Sequence, residues 1–217
     1  MPRSIAKAIP KSAKSPPSVV SDRRAAKRQA IVTAATSLFA ELGYADCEME
    51  RVAAELKVAK GTLYLYFPSK EELFYACVDD GMSQLQLAVH QAVADQTDGL
   101  DRIRRGIYAY LKFFDEHPAL IELFIQERAR FKDRKRPTYF EHRDANRGPW
   151  RELYKSLIAA GQLRGDLPVE RLLDTVGNLV YGTMFTNHFL NRTVPLTDQY
   201  EALVEILLRG ILSDAQR

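Results

Sequence analysis

The sequence predicts an all-α protein, with a small N-terminal domain followed by a larger helical domain. Apolar residues recur at three- and four-residue spacings from Ser21 onward, and glycine and proline interrupt this pattern as they do at helix ends. No segment alternates apolar and polar residues in the way that indicates a strand. The 217 residues are 46% hydrophobic and 27% charged, so the chain has the size and composition to bury a core.

The helical pattern begins after an N-terminal tail. Residues 1–20 are rich in Lys, Ser, Ala and Pro, which is typical of a disordered basic tail. In the first helix one face carries an apolar stripe made of Ile31, Ala35, Leu38, Phe39 and Leu42. Gly43 suits the C-terminal cap of this helix, because glycine adopts the left-handed conformation without a steric penalty.

The later helices are delimited by capping residues and breakers. Ser69 and Glu72 have the spacing of a capping box, in which each side chain accepts from an otherwise unpaired backbone N–H. Pro118 and Pro168 suit first helical turns, and Gly161 separates two helices. The resulting prediction is of helices at 48–56, 60–66, 69–94, 98–116, 118–132, 147–163, 168–190 and 197–213.

The net charge of +3 is distributed unevenly along the chain. Residues 1–70 carry 12 Lys or Arg against 6 Asp or Glu, a net of +6, whereas residues 71–217 carry 19 against 22, a net of −3. A basic N-terminal part next to a mildly acidic remainder favours contact with a polyanion. The alternative is a lysine-rich tail that only increases solubility, and charge alone leaves both open.

Composition excludes several classes of protein. No apolar run has the length of a membrane span or a signal-peptide core, so we expect a cytoplasmic protein with no membrane contact. Cys47 and Cys77 lack a nearby partner and the four histidines are scattered, so we predict neither a disulfide framework nor a metal site. The sequence contains no nucleophile–base signature and no phosphate loop. We therefore expect no cofactor and no enzymatic activity.

The most informative segment is residues 48–67, EMERVAAELKVAKGTLYLYF. Val52, Ala53 and Leu56 face inward from one short helix, and Leu63 does so from a second, with Val58 in the turn between them. This spacing is that of a helix-turn-helix, whose second helix enters the DNA major groove.

Residues 25–85 resemble the DNA-binding domain of the TetR (tetracycline repressor) family of transcriptional regulators. The matching elements are AATSLFAELGY at 34–44, the helix pair, and KGTLYLYFPSKEELF at 60–74. The resemblance implies a homodimeric, all-helical regulator. It would have a basic tail at 1–20, a helix-turn-helix domain at 21–85 and an effector-binding and dimerisation domain at 86–217.

In that setting, seven residues of the second helix and its flank are predicted to contact DNA. They are Lys60, Gly61, Thr62, Tyr64, Leu65, Tyr66 and Lys70. Three sites depart from the family pattern: Lys57 stands where a turn glycine is common, Ala59 replaces the serine that would cap the helix, and Cys47-Glu48 replaces the threonine or serine pair that often opens the first helix of the motif. Glu48 would either repel a nearby phosphate or cap its own helix. The basic tail is a second candidate for DNA contact, along the minor groove or the phosphates.

The last two predicted helices carry apolar residues on more than one face. Along 168–190, one face contains Leu172 and Val176, and the opposite face contains Tyr181 and Phe185. The resemblance implies that 168–190 and 197–213 pair with their copies across a two-fold axis. An intrachain bundle without a partner is the alternative.

An effector pocket for an unidentified small molecule is expected within the helices at 98–163. The candidates are aromatic residues and one pair of charges inside or beside an apolar stripe. They are Tyr108, Phe113, Phe124, Glu127, Arg128, Tyr181 and Phe185. A structural ion pair is the alternative role for Glu127 and Arg128, and plain core packing for the aromatic residues.

The sequence therefore favours a DNA-binding regulator, in most cases a repressor that an effector releases from its operator. Two other classes stay open: a helical enzyme or small-molecule carrier, and a nonspecific architectural DNA-binding protein. Operator sequence and effector are not encoded in any recognisable motif.

Overall fold

The computed structural model describes residues 19–216, and within them the protein is helical, without a β-sheet. The fold class predicted from the sequence is confirmed. The predicted tail lies outside the described residues, apart from its last two positions, which begin the first helix. Ten α-helices follow one another: α1 Val19–Asp46, α2 Met49–Glu55, α3 Lys60–Tyr64, α4 Lys70–Ala94, α5 Gly99–Glu116, α6 Pro118–Arg130, α7 Thr138–Ala145, α8 Arg147–Ala159, α9 Val169–Phe189 and α10 Tyr200–Ile211.

Eight of these helices match predicted ones within four residues at each end, and α1 begins two residues before Ser21. The exception is α7, which the sequence did not predict. Its eight residues follow Pro137 and are mostly polar, so they show no apolar stripe. Helix α8 is also shorter than predicted: it ends at Ala159, and Leu163 instead pairs with Leu212 in an isolated bridge.

The first helix changes direction at Gly43, where φ is +81°. This conformation is unfavourable for residues with a Cβ, which explains the glycine predicted as a cap. The bend brings Tyr44 against Phe74, with ring centroids 5.1 Å apart, and against Phe131 of the loop after α6, also at 5.1 Å. An aromatic cluster thereby ties α1 to α4 and to the C-terminal part.

Helix α4 connects the two parts of the molecule. Its N-terminus is capped as predicted, since the Ser69 hydroxyl accepts from the Glu72 N–H at 3.1 Å. Leu73, Phe74 and Val78 are buried in the core that also contains α1, whereas Met82 and Leu85 are buried further along the helix. A change in the position of α4 would therefore be felt by both α1–α3 and α5–α9.

Candidate DNA-binding surface and ligand cavities

Helices α2 and α3 form a helix-turn-helix with a small apolar contact between them. Val52 and Ala53 of α2 and Leu63 of α3 are buried, as the spacing predicted. In the turn, the Val58 N–H donates to the Ala53 carbonyl at 3.0 Å, and the Val58 side chain is half-buried. These contacts fix the orientation of α3, although it has only five residues.

The turn itself is strained at one position. Lys57 has a φ of +53°, in the left-handed region that favours glycine. Helix α3 also lacks a side-chain cap, because Ala59 at its start has no side-chain acceptor. Two of the three departures from the family pattern, Lys57 and Ala59, therefore fall on the segment that positions α3.

The outer face of α3 is left uncovered by the rest of the described chain. Leu65 is 74% exposed and Tyr64 40% exposed, although both are large apolar or aromatic residues. A Cβ added at Gly61 would meet no atom within 4 Å, so the backbone there is open to a partner. The start of α1 carries four exposed cations, namely Arg23, Arg24, Lys27 and Arg28.

The two tyrosines of the motif have different surroundings. Tyr64 is exposed, whereas Tyr66 is half-buried with the Arg24 guanidinium 5.9 Å from its ring centroid. Arg28 lies in a similar way 4.8 Å from the ring of Phe67. Tyr66 therefore helps to hold α1 against α3, and Tyr64 is the tyrosine available to DNA. Thr62 is half-buried beside them.

Both predicted lysines are paired with glutamates of the same domain. Lys60 Nζ contacts the Glu50 carboxylate, and this hydrogen bond raises the pKa of Lys60 and lowers the pKa of Glu50. Lys70 Nζ donates to the Ala45 carbonyl at 3.0 Å and to Glu48 at 3.3 Å. Glu48 does not cap α2, so its carboxylate serves this ion pair. DNA phosphates would have to compete with both carboxylates.

Two adjoining cavities lie in the C-terminal part of the molecule. The first, here called the α9 cavity, has a volume of about 200 Å³, and its walls include Ile103, Ile107, Leu173, Val176 and Val180. The second, the α4 cavity, has a volume of about 360 Å³, and its walls include Met82, Leu85, Val93, Arg102 and Leu153. Five residues line both cavities: Val89, Tyr110, Tyr139, Arg143 and Trp150.

Two tyrosine hydroxyls lie in the wall that the two cavities share. The hydroxyls of Tyr110 and Tyr139 lie 2.9 Å apart in a hydrogen bond. Burial raises the pKa of Tyr110 well above its ordinary value and the pKa of Tyr139 to about 12, so both hydroxyls are neutral. Trp150 packs on Gly106, where an added Cβ would lie 2.6 Å from the indole ring.

The residues predicted for the effector pocket lie elsewhere. Tyr108 is 43% exposed and packs on Tyr200, with ring centroids 5.2 Å apart. Phe113 stacks on His117, and Phe124 is buried against Tyr139. None of the seven predicted residues is among the lining residues of either cavity. Tyr181 and Phe185 come nearest, since the ring of Tyr181 lies 4.7 Å from that of Tyr139.

Glu127 forms its ion pair with Arg134 and not with Arg128, the residue that follows it in the sequence. Its carboxylate accepts from the Thr138 N–H at 3.0 Å, the Thr138 hydroxyl at 2.7 Å and Arg134 at 2.8 Å. Arg128 is exposed. The geometry therefore favours the structural role for Glu127, with Arg134 as the cation. Arg134 is half-buried, so the segment at 134–137 is not the fully solvated loop that its charges indicate.

The potential metal ligands and the two thiols are not grouped in the part of the chain that the structure describes. No group of three or more His, Cys, Asp or Glu side chains there could hold a metal ion. Cys47 and Cys77 are buried, and burial raises the pKa of the Cys77 thiol to about 12. None of the helices at 19–216 is both long enough and apolar enough to cross a membrane.

Comparison with known proteins agrees with the helix-turn-helix geometry. Residues 31–77 match the model of the bacterial regulatory proteins of the tetR family. The match covers the second half of α1, all of α2 and α3, and the start of α4. Over these residues the chain is similar to TetR-family regulators.

Curated relatives of this chain are named as transcriptional regulators. It is 31% identical over 103 residues to the uncharacterized HTH-type transcriptional regulator YhgD of Bacillus subtilis, covering 48% of this chain and 53% of that protein. It is 27% identical over 149 residues to the HTH-type transcriptional repressor KstR2 of Mycobacterium tuberculosis, covering 66% of this chain and 72% of that protein. The chain spans about half the length of the first curated relatives that it matches.

Solved structures extend the likeness in fold to most of the chain. The transcriptional regulator FadR of Bacillus subtilis, solved in complex with stearoyl-CoA, superposes with a TM-score of 0.70. The match covers 84% of this chain and 98% of that one at 19% identity, which supports a common fold. The likeness in fold therefore includes the C-terminal helices as well as the N-terminal domain.

Sequence reasoning missed the residues that line the cavities. Arg102 and Arg143 looked like ordinary surface arginines, and Trp150 lies in a helix with few other aromatic residues. One signal could have found Trp150: it is the single tryptophan of the chain, and Gly106 lies on an otherwise apolar face of α5. A glycine among buried residues indicates that a bulky group approaches the helix closely.

Proposed function

We propose that this chain is a sequence-specific transcriptional repressor, released from its operator by a small-molecule effector. The observation that carries the proposal is the outer face of α3, where Tyr64 and Leu65 are exposed on the helix that Lys60 begins, with Arg24 of α1 5.9 Å from the ring of Tyr66. Such a face would be an unfavourable surface for a protein without a partner. It fits a major groove, in which the phosphates attract cations and the base edges offer both polar and apolar contacts.

A homodimer would present two such helices to DNA. Helices α9 and α10 leave Leu179, Phe189, Leu190 and Ile206 exposed, and Ile206 is 71% exposed. These residues support pairing of 168–190 and 197–213 with their copies in a partner subunit. In the dimer the two recognition helices would read half-sites about one turn of DNA apart, roughly 34–36 Å.

The cavities supply the effector site in this proposal, in place of the residues selected from the sequence. Residues of α4 line both cavities, and α4 leads directly to the helix-turn-helix. Helix α7 is fixed to α4 by His142, which contacts Asp79 at 2.7 Å and Gln86 at 2.9 Å. A ligand that displaces α7 would shift α4 and favour a dimer with another spacing of its recognition helices.

The domain division follows from this mechanism. We propose a DNA-binding domain at 21–85 and an effector-binding and dimerisation domain at 86–217, with the basic tail at 1–20 as an additional DNA contact. A regulator of chromosomal DNA would act in the cytoplasm, and its function requires no catalysis.

The proposal is tested by fluorescence anisotropy of labelled DNA that flanks the protein's own gene, compared with scrambled DNA at two salt concentrations. We expect a preference of about 10³-fold or more for the operator. The double variant Lys60→Ala, Tyr64→Ala should lose this preference. Lys112→Ala is the matched control, since Lys112 is equally exposed but lies on α5.

Each alternative predicts a different result. Equal, salt-sensitive binding to both DNAs, repeated with a library of random sequences, would indicate an architectural DNA-binding protein. No binding to any DNA at low salt would contradict a regulatory role and support a carrier or an enzyme. A monomeric mass by light scattering in the presence of operator would contradict the dimer.

A further inference from the structure

The two cavities contain more positive than negative charge. Three guanidinium groups line them, those of Arg102, Arg143 and Arg147, against the single carboxylate of Asp174. Most of the other lining residues are aliphatic or aromatic. Positive charge in an apolar wall is unfavourable unless an anion accompanies it.

The protein's own acceptors satisfy only part of this charge. Arg147 donates to Asp174 at 2.7 Å and to the Glu170 carbonyl at 2.9 Å, and it lies 3.0 Å from the Glu170 carboxylate, so its terminal nitrogens are paired. Its Nε, like the Nε of Arg102, is buried without a hydrogen-bond acceptor among the described residues. The Arg143 Nε–H donates to the carboxylate of its neighbour Asp144 at 3.2 Å, and the guanidinium lies 4.9 Å from the ring of Phe140.

The tyrosines in the walls do not supply the missing charge. Burial raises the pKa values of Tyr110, Tyr139 and Tyr154, so all three side chains are neutral hydroxyls. The hydroxyls of Tyr110 and Tyr139 are occupied with each other. Among the described residues, the Arg102 guanidinium and the terminal nitrogens of Arg143 are therefore available to an acceptor on a molecule in the α4 cavity.

We infer that the cavities bind an amphipathic anion, a ligand with one negatively charged group and an elongated apolar body. Arg102 and Arg143 hold the charged group in the α4 cavity, and the apolar body passes Trp150 into the α9 cavity. This inference rests on the proposed function in that it names the chemical class of the effector. The volumes of the two cavities together suit a small metabolite.

Trp150 permits a direct test, because the only tryptophan of the chain lines both cavities. Its emission can be followed in the full-length protein without DNA during titration with decanoate, with decanol of the same chain length and with decanoyl-CoA. The acid and the alcohol differ in charge. The acid and the thioester distinguish a carboxylate from the phosphates of a conjugate as the source of the anionic group.

We expect decanoate or decanoyl-CoA to bind at least about tenfold more tightly than decanol, because charge-assisted hydrogen bonds to guanidinium are strong. Arg102→Gln and Arg143→Gln should each reduce this preference by about tenfold, and Arg102→Lys should retain part of it. Arg105→Gln is the control, since Arg105 is exposed on the same helix and lines neither cavity. Melting temperatures of all variants exclude loss of folding as the cause.

Three results would overturn the inference: equal affinity for acid and alcohol, a charge preference unaffected in both arginine variants, or no saturable response to any probe below its micelle-forming concentration. The operator assay separates this failure from that of the proposed function. Arginine-dependent binding that leaves DNA binding unchanged would retain the ligand class and contradict the effector role. Release of DNA by decanol alone would support an effector role and contradict the anionic ligand class.

Discussion

The DNA-binding surface and the ligand cavities are built in opposite ways. The surface is local: its chemistry lies within residues 60–70 and points outward from one short helix and its flank. The cavities are formed by α4, α5, α7, α8 and α9, and the residues that line them are spread along the chain from Met82 to Val180. A function carried by a contiguous segment can be recognised in a sequence, whereas one assembled from distant helices depends on how those helices pack.

The largest effect should come from removing the carboxylate that fixes α7 to α6. Glu127→Ala would leave the buried N–H and hydroxyl of Thr138 without an acceptor and Arg134 without its buried partner. We expect the free energy of unfolding to fall by about 2–4 kcal/mol, measured by urea denaturation. DNA binding by the protein that remains folded should be unchanged, because His142 still fixes α7 to α4 through Asp79 and Gln86.

Glu141→Ala is the matched control, since Glu141 contacts the same arginine at 2.5 Å from an exposed position. We expect it to cost less than about 1 kcal/mol. If Glu127→Ala left stability unchanged but abolished the response to ligand, Glu127 would be a ligand contact, as its place in the apolar stripe also allows.

The next effect concerns the wall between the cavities. In Gly106→Ala the new Cβ would lie 2.6 Å from the Trp150 ring, so the indole would have to move. We expect a loss of about 1–3 kcal/mol in the free energy of unfolding, together with a shift of the tryptophan emission. Operator affinity without ligand should not change. Gly148→Ala is the control, because a Cβ there meets nothing within 4 Å, and an equal loss in both variants would contradict the contact.

This contrast also explains how much of the structure could be predicted from the sequence. Helices with an apolar stripe, such as α1 with Ile31 and Leu38, were predicted because burial imposes a period on the sequence. Helix α7 was missed because its N-terminus is stabilised from outside: the Thr138 N–H donates to Glu127, eleven residues away. No pattern within 138–145 records that contact.

The candidate sites divide in the same way. Tyr64 and Leu65 were selected as exposed residues of a motif, and the structure leaves both exposed. The aromatic residues selected for the pocket pack in the core or lie on the surface of the protein. Helical spacing alone does not distinguish an aromatic side chain in a core from one in a ligand pocket. Arg102 and Arg143 could not be selected, since only the packing of α4, α5, α7 and α8 makes them part of a cavity.

A smaller effect tests whether the Glu50 carboxylate weakens DNA binding by competing with phosphate for Lys60. Glu50 contacts Lys60 at an exposed position, where phosphate would compete for the same ammonium group. We expect Glu50→Gln to tighten operator binding by about two- to fivefold at low salt and less at high salt, measured by anisotropy. Glu55→Gln on the same helix controls for the loss of one negative charge. Weaker binding in Glu50→Gln would mean that the carboxylate itself contacts a base.

The smallest effect concerns the turn before α3. Lys57 has a φ of +53°, which costs a residue with a Cβ more than it costs glycine, even though glycine loses more entropy on folding. Lys57→Gly should therefore raise the free energy of unfolding by about 0.5–1 kcal/mol, and the melting temperature by about 1–4 °C. Lys57→Ala keeps the Cβ and should show no such gain. If both variants weakened operator binding equally while only the glycine variant gained stability, Lys57 would be a phosphate contact retained at a cost in stability.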